Sequence, residues 1–355
     1  MSALPHLRVL YTGGTIGMVD SARGFVPAVG ALAQRLAVNP RFHVGGPGPL
    51  TLPASTFGAG ATYEIVEWET PLDSSNIGAE EWVRMAEDIA ANLDRCDGFV
   101  VLHGTDTMAY TAAALSFMLE NLPKPVIVTG SQVPLGHLRN DAVDNLLGAL
   151  LLTAHHRIPE VGVYFRDRLW RGNRVQKVDA VGFDAFHAGN HAPLAEVGIG
   201  MELHPARWLP TPTAPFRLAP ITERHVLCVR LHPGLTGDLL DRLLQPPLHG
   251  LVLETYGAGN APDRDAALLD ALRRANARGL VSVSVTQCHR GRVGGEYAAG
   301  RALLDTGVVP GGDLTPEAAL VKLAWWLSQT DDVATVRAGM QAPQRGEMSG
   351  GNVGV

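Results

Sequence analysis

A chain of 355 residues is long enough for two domains of roughly 150 residues each and too long for one small module. Its 46% apolar and 18% charged residues exclude a disordered chain, a coiled coil and a collagen-like fibre. With 29 Lys+Arg against 35 Asp+Glu, the formal charge of −6 supplies no basic excess to grip phosphates, so nucleic acid is not expected as a partner. No apolar run approaches the ~20 residues that span a bilayer, so no membrane association is expected. Met1 to Tyr11 lacks the basic start, apolar stretch and small-residue cleavage site of a secretory signal, which points to a cytoplasmic protein. Cys96, Cys228 and Cys288 are odd in number and match no short metal-ligand spacing, so no disulfide framework is expected.

Leu7 to Tyr11 is a compact apolar run that stops at Thr12-Gly13-Gly14-Thr15, the pattern of a buried strand ending in a glycine turn. Gly45 to Gly60 reads as a Gly/Pro-rich surface loop. Asp73, Ser74 and Ser75 are helix-capping types, and Trp82, Met85, Ile89 and Leu93 follow at helical spacing. Phe99–Leu102 is then a strand, Met108–Leu119 a helix, Val126–Val128 a strand and Ala142–Ala154 a helix. This alternation predicts an α/β fold with a larger N-terminal parallel sheet covered by helices on both faces.

Between His191 and Ile221 the composition shifts, with six prolines from Pro193 to Pro220, and a linker is expected there. Strands at Val226–Leu231, Leu251–Thr255 and Val281–Thr286 alternate with helices near Leu268–Ala277 and Pro316–Leu327. They predict a smaller C-terminal α/β domain over residues 222–355, following an N-terminal domain over residues 1–190. The tail after Gln341 is expected to be mobile.

The glycine turn fails the GxGxxG dinucleotide pattern, because Thr12 holds the first glycine position. No GxxxxGK[ST] loop and no GxSxG elbow occurs, and His155-His156 lacks the spacing of an HExxH zinc site. What remains are hydroxyls and a carboxylate at expected strand ends: Thr12 and Thr15 after the first strand, and Thr105, Asp106 and Thr107 after Val100-Val101-Leu102. Neighbouring parallel strands bring such turns together, where a hydroxyl can act as nucleophile and a carboxylate can hold a cationic group. The same residue types also cap helices, and Thr105–Thr107 opens one. The residues by themselves leave both readings open.

Tyr11-Thr12-Gly13-Gly14-Thr15-Ile16-Gly17-Met18, together with Asp97-Gly98-Phe99-Val100-Val101-Leu102-His103-Gly104-Thr105-Asp106-Thr107-Met108, closely resembles the paired signatures of bacterial type I (cytoplasmic) L-asparaginases. The resemblance continues through Pro125–Gln132, Arg171–Arg174, Gly182–Phe186 and Tyr256–Pro262 and covers nearly the whole chain. It implies a larger and a smaller α/β domain and hydrolysis of L-asparagine to aspartate and ammonia through a threonine acyl-enzyme, without metal or cofactor. It implies Thr15 as the nucleophile, and Thr105, Lys177 and Asp106 as a second catalytic group in which Asp106 also holds the substrate ammonium. Ser74 and Ser75 match the stretch that binds the α-carboxylate.

The resemblance further implies a homodimer or homotetramer in which a neighbour's C-terminal domain closes each site. Two departures stand out. The lid position of the family tyrosine is Phe25, which lacks the hydroxyl. The two positions that form an allosteric asparagine site in some members hold Gln176 and Glu254, and the acidic residue repels an effector carboxylate, so effector activation is not expected. Two other readings of this scaffold are weaker. The amide-hydrolysing subunit of a tRNA-dependent amidotransferase carries an added N-terminal region not visible ahead of Leu7, and a non-catalytic amino-acid sensor has no need of Thr15, Thr105, Asp106 and Lys177 together.

Overall fold

A computed structural model describes residues 3–22, 24–46, 48–294 and 298–350. The chain forms two compact units, one of which holds the chain up to Ala188 and again Ala192–Leu218, while the other holds Gly189–His191 and the chain from Ala219.

In the first unit the strands are β1 His6–Gly13, β2 Met18–Ser21, β3 Gly24–Pro27, β4 Leu50–Leu52, β5 Ala61–Leu72, β6 Gly98–Leu102, β7 Leu119–Glu120, β8 Val126–Thr129, β9 Val161–Phe165, β10 Arg168–Arg171, β11 Gln176–Lys177, β12 Phe186–His187, β13 Ala195–Val197, β14 Met201–Leu203 and β15 Arg217–Leu218. Its helices are α1 Ala31–Ala37, α2 Ala79–Ala91, α3 Met108–Met118 and α4 Ala142–His155. Nine strands form one sheet in the order β14-β13-β10-β9-β8-β6-β1-β5-β4. The five strands from β9 to β5 run parallel, and antiparallel strands flank them on both sides.

Every residue of β6, β8 and β9 is buried, as expected of strands covered on both faces. Val100 and Leu102 pack in one cluster with Ala142, Leu146, Ala149 and Leu150 of α4. Helices α2 and α3 pack on one another, α3 contacts β8 and β9, and neither contributes to the cluster under α4, so they cover the opposite face. Across the sheet the parallel strands lie in the order β5, β1, β6, β8, β9, so the chain steps from β1 to β5 in one direction and from β6 through β8 to β9 in the other, and the winding reverses between β1 and β6. Crevices for ligands in such sheets open at that reversal, beyond the carboxyl ends of the strands.

The second unit has strands β16 Val226–Arg230, β17 Gly250–Thr255, β18 Val281–Thr286 and β19 Val309–Pro310 in one parallel sheet of that order. Its helices are α5 Gly237–Leu243, α6 Ala266–Ala277, α7 Ala298–Leu304, α8 Pro316–Gln329 and α9 Val333–Gln341. One core cluster includes residues of α5 and α6 and the other residues of α8 and α9, one on each face of the sheet.

Four local expectations change. Residues 195–203 of the proline-rich stretch form β13 and β14, which extend the large sheet, because Leu194 and Ala195 bury their side chains in its core. The 45–60 segment includes β4, paired antiparallel at the sheet edge. Asp73 caps not α2 but the short 3-10 turn Ser74–Asn76, and α2 starts at Ala79 with the Gly78 N–H donating to Glu81 Oε2 at 2.8 Å. The chain after Gln341 folds back: Glu347 and Lys322, both fully buried, pair at 2.6 Å, and Glu347 also accepts the Gln344 and Arg345 N–H groups. Burying this charged pair with its hydrogen bonds satisfied fixes the segment through residue 348.

Candidate active site

The site is built by glycines at strand ends. Where Gly13 lies opposite Leu72, a side-chain carbon would sit 2.0 Å from the Leu72 carbonyl oxygen. At Gly14 (φ +83°) it would sit 2.4 Å from the Gly104 nitrogen, and at Gly104 2.5 Å from Ser74 Oγ. A Cβ carbon tolerates none of these distances, so the turns after β1, β5 and β6 approach one another, backbone on backbone at Gly13 and Gly14 and against the Ser74 side chain at Gly104, as closely as only glycine permits. The Gly14 N–H donates to Leu72 O at 3.1 Å, and Thr12 Oγ1 donates to Leu102 O at 3.0 Å. The close approach places Thr15, at the start of the 3-10 turn Thr15–Gly17, beside the turn that carries Thr105.

Lys177, on the two-residue strand β11, donates from Nζ to Thr105 Oγ1 at 2.8 Å and to Asp106 Oδ1 at 2.7 Å. Seventy-one residues separate Lys177 from Asp106 in sequence. The Thr105 hydroxyl in turn donates to Gln132 Oε1 at 3.1 Å, and Gln132 Nε2 donates to the Gly182 carbonyl at 3.2 Å. Thr105 is 7% exposed, whereas the Asp106 side chain is 65% exposed, so the hydroxyl lies at the floor of the site and the carboxylate at its mouth.

Gln132 carried no assigned role in the sequence, although it closes Thr129-Gly130-Ser131-Gln132 just past β8. Its backbone N–H is gripped by the buried Asp141 carboxylate at 2.9 Å. Burial pushes the Asp141 carboxyl up from its ordinary range, against the opposing hydrogen bonds from Gln132 and Val133.

Ser74 is buried against Gly104, and Thr107 Oγ1 donates to Ser74 O at 2.7 Å. Ser75 is exposed, and both its N–H and its hydroxyl donate to Asp73 Oδ1, at 2.9 and 2.8 Å. These two bonds, the backbone one first, hold the Asp73 carboxyl below its usual range. Phe25 lies on the β2–β3 hairpin, and β3 packs on the Thr15–Gly17 turn. Its ring meets His137 edge-on at 5.1 Å, and His137 Nε2 lies 3.3 Å from Asp20 Oδ2 of the same hairpin.

Gln176 pairs with His187 in the β11–β12 ribbon. Glu254 lies on β17 in the other unit, with Arg230 Nη1 at 3.7 Å and the Cys228 thiol donating to it at 3.6 Å. Its carboxylate therefore already has a cationic neighbour.

His103 supports the Thr105 turn from below. Fully buried, it donates from Nδ1 to the Gly104 carbonyl at 2.7 Å and accepts at Nε2 from the Thr111 hydroxyl at 2.9 Å, which in turn accepts from Trp82 Nε1. The network requires a neutral ring, and burial lowers its pKa to about 4. Above pH 6.5 the ring is neutral folded or unfolded and costs nothing. As pH falls toward 4 only the unfolded chain gains the proton, so stability declines through that window by on the order of 3 kcal/mol and levels off below it. Urea midpoints measured from pH 7 to 4 check this: His103→Asn is expected to flatten the slope relative to the parent, and equal slopes contradict the assignment.

Two family models match the chain, one described as asparaginase, N-terminal, over residues 6–208, the other as the glutaminase/asparaginase C-terminal domain, over residues 225–340. L-asparaginase 1 of Escherichia coli K12 is 47% identical over 96% of this chain and 97% of its own length. The crystal structure of L-asparaginase I from Vibrio cholerae is 44% identical and superposes with a TM-score of 0.87 over 98% of this chain and all of that one. The thermostable L-asparaginase of Thermococcus kodakarensis, 34% identical, gives 0.85 over 98% of this chain and all of that one. With both halves matched and near-full-length relatives well above 30% identity, the chain belongs to the asparaginase family.

Proposed function

We propose that this chain is an L-asparaginase that hydrolyses free asparagine to aspartate and ammonia. The observation that carries the reading is the contact of Lys177 with both Thr105 and Asp106, next to the glycine turn that bears Thr15. Thr15 attacks the side-chain amide carbonyl: its Oγ–C bond forms, the C–N bond breaks, and the departing nitrogen leaves as ammonia with the hydroxyl proton. Water then adds to the acyl carbon, the Thr15 Oγ–C bond breaks, and the hydroxyl recovers a proton. A threonine hydroxyl is a weak nucleophile until a neighbour takes its proton. In the second step Thr105 orients the water. For Lys177 to take the Thr105 proton, Nζ first passes one of its own protons to the Asp106 carboxylate or to water, and the hydroxyl hydrogen then turns from Gln132 toward the freed lone pair.

Asp106, at the exposed mouth, receives the substrate ammonium, and Ser75 turns its hydroxyl from Asp73 to the α-carboxylate. The Gly14 N–H is already committed to Leu72 and is not an oxyanion donor. The other glycine-turn N–H groups fill that role. The exposed Asp106, with Val181 at 91% exposure in the loop after Lys177, supports a homodimer or homotetramer in which another copy covers the mouth. Among the described residues no helix is long and apolar enough to cross a membrane, and the reading places the enzyme in the cytoplasm.

Ammonia release from asparagine, glutamine and D-asparagine by the purified chain tests the proposal. Asparagine turnover is the expected result, and no release from any of the three by folded protein overturns it. Phe25 acts in this reading as a packing lid, since its ring seats on His137 without a hydroxyl. Phe25→Tyr is expected to change kcat only a few-fold and Phe25→Ala to lower kcat/KM at least about tenfold. A hundredfold rise on restoring the tyrosine, ~2.7 kcal/mol, shows instead that the hydroxyl is chemically needed.

A further inference from the structure

At the end of the large sheet opposite the catalytic turns, β6, β1 and β5 begin side by side, and three side chains from these starts converge. His6 opens β1, Cys96 lies two residues ahead of β6, and Glu64 sits on β5 opposite Arg8. One donor atom from each lies within 4.8 Å of the other two. We propose that His6, Glu64 and Cys96 bind one divalent cation of borderline softness, Zn²⁺ in type.

The donor set selects the class of ion. Imidazole nitrogen, thiolate sulfur and carboxylate oxygen are the three ligand types of zinc, whereas calcium and magnesium take oxygen alone. Zinc bonds of 2.0–2.3 Å in a tetrahedron put ligand atoms about 3.4–3.8 Å apart. No pair therefore has to close by more than about 1.4 Å, within the reach of one side-chain rotation of Glu64, which is 35% exposed. That exposed side admits a water as fourth ligand.

The surrounding bonds prepare each ligand. Thr62 Oγ1 lies 3.1 Å from His6 Nδ1 and 3.3 Å from the Pro5 carbonyl, a contact that holds the imidazole ring by one nitrogen and leaves the other for the ion. The Cys96 backbone is fixed three ways: Lys124 Nζ donates to its carbonyl at 2.8 Å, its N–H donates to Asn92 O at 3.1 Å, and the following Asp97 N–H donates to His6 O at 2.7 Å. Arg8 holds only Glu64 Oε1 and grips Asp88 with two further bonds of 2.6 and 2.8 Å, so its charge stays balanced when Glu64 turns to a cation.

A thiolate and a carboxylate together neutralise a divalent ion. Bound there, it staples the starts of the strands whose far ends lead into the turns of Thr15, Ser74 and Thr105, and it raises stability by mass action.

Co²⁺ titration of the untagged full chain carrying Cys228→Ser and Cys288→Ser, which leaves Cys96 as its single thiol, tests the site. The expected result is a near-ultraviolet thiolate-to-cobalt charge-transfer band that saturates at one equivalent and is abolished by Zn²⁺ competition. Cys96→Ser removes the band, and His6→Gln and Glu64→Gln each raise the apparent Kd at least about tenfold, while the activity of the ion-free protein stays within twofold. If Cys96→Ser fails to fold, His6→Gln decides, because that residue stands at a half-buried strand start. A titration without a stoichiometric band, or a band with unchanged affinity in His6→Gln and Glu64→Gln, overturns the proposal.

Discussion

Thr15→Ala and Thr105→Val are each expected to lower kcat at least about 10³-fold, or ~4 kcal/mol of transition-state stabilisation, with little change in folding. Thr15 carries the acyl group in the proposed reaction, and Thr105 is the hydroxyl that Lys177 contacts at 2.8 Å. Both act in one chemical sequence, so the double variant is expected to be hardly slower than either single one. Lys177→Met belongs to the same set, because it removes the group that contacts Thr105 and that takes its proton in the proposed reaction. Asp106→Asn differs in kind and is expected to raise KM as well as lower kcat, since in the proposed reaction its exposed carboxylate receives the substrate ammonium. Steady-state ammonia release, with circular dichroism as the folding control, checks all four. More than about a tenth of parental kcat in Thr15→Ala moves the nucleophile elsewhere, and an unchanged KM in Asp106→Asn removes its binding role.

Gly14→Ala is expected to lower kcat/KM at least about a hundredfold while the protein still folds. Two causes act together: φ of +83° is unfavourable for a residue with a side chain, by roughly 1 kcal/mol or more, and the added carbon meets the Gly104 backbone at 2.4 Å. Backbone cannot rotate aside as a long side chain can, so the β1 and β6 turns must separate and Thr15 moves away from Thr105. Near-attack geometry tolerates little of this, since a displacement of about 1 Å costs about a hundredfold. Gly24→Ala separates the two causes, because Gly24 has φ of +93° and nothing within 4 Å. It is expected to cost some stability and only a small part of activity. Equal losses in the two variants assign the effect to backbone strain, and parental activity in Gly14→Ala refutes the close-packed account of the site.

Much of this protein is determined by local sequence. Buried parallel strands such as Val100-Val101-Leu102 read as unbroken apolar runs, and helices such as α2 announce their buried face through helical spacing, here Trp82, Met85 and Ile89. The β–α alternation therefore yields the fold class, and the paired threonine turns mark where chemistry can sit.

Tertiary structure alone decides what depends on residues far apart in the chain. No spacing shows that β1 lies between β5 and β6, which makes the winding reverse beside Thr15. Lys177 and Asp106 meet across 71 residues, and Gln132 reaches Thr105 across 27. The tail shows the same limit: Glu347 has no apolar period around it, yet Lys322 of α8 draws it into the core because two buried opposite charges are stable only together. His6, Glu64 and Cys96 match no ligand motif, since their spacing spans three strands. Propensity and periodicity act over a few residues, whereas convergence at a sheet end is set by strand order, and strand order is a property of the folded chain.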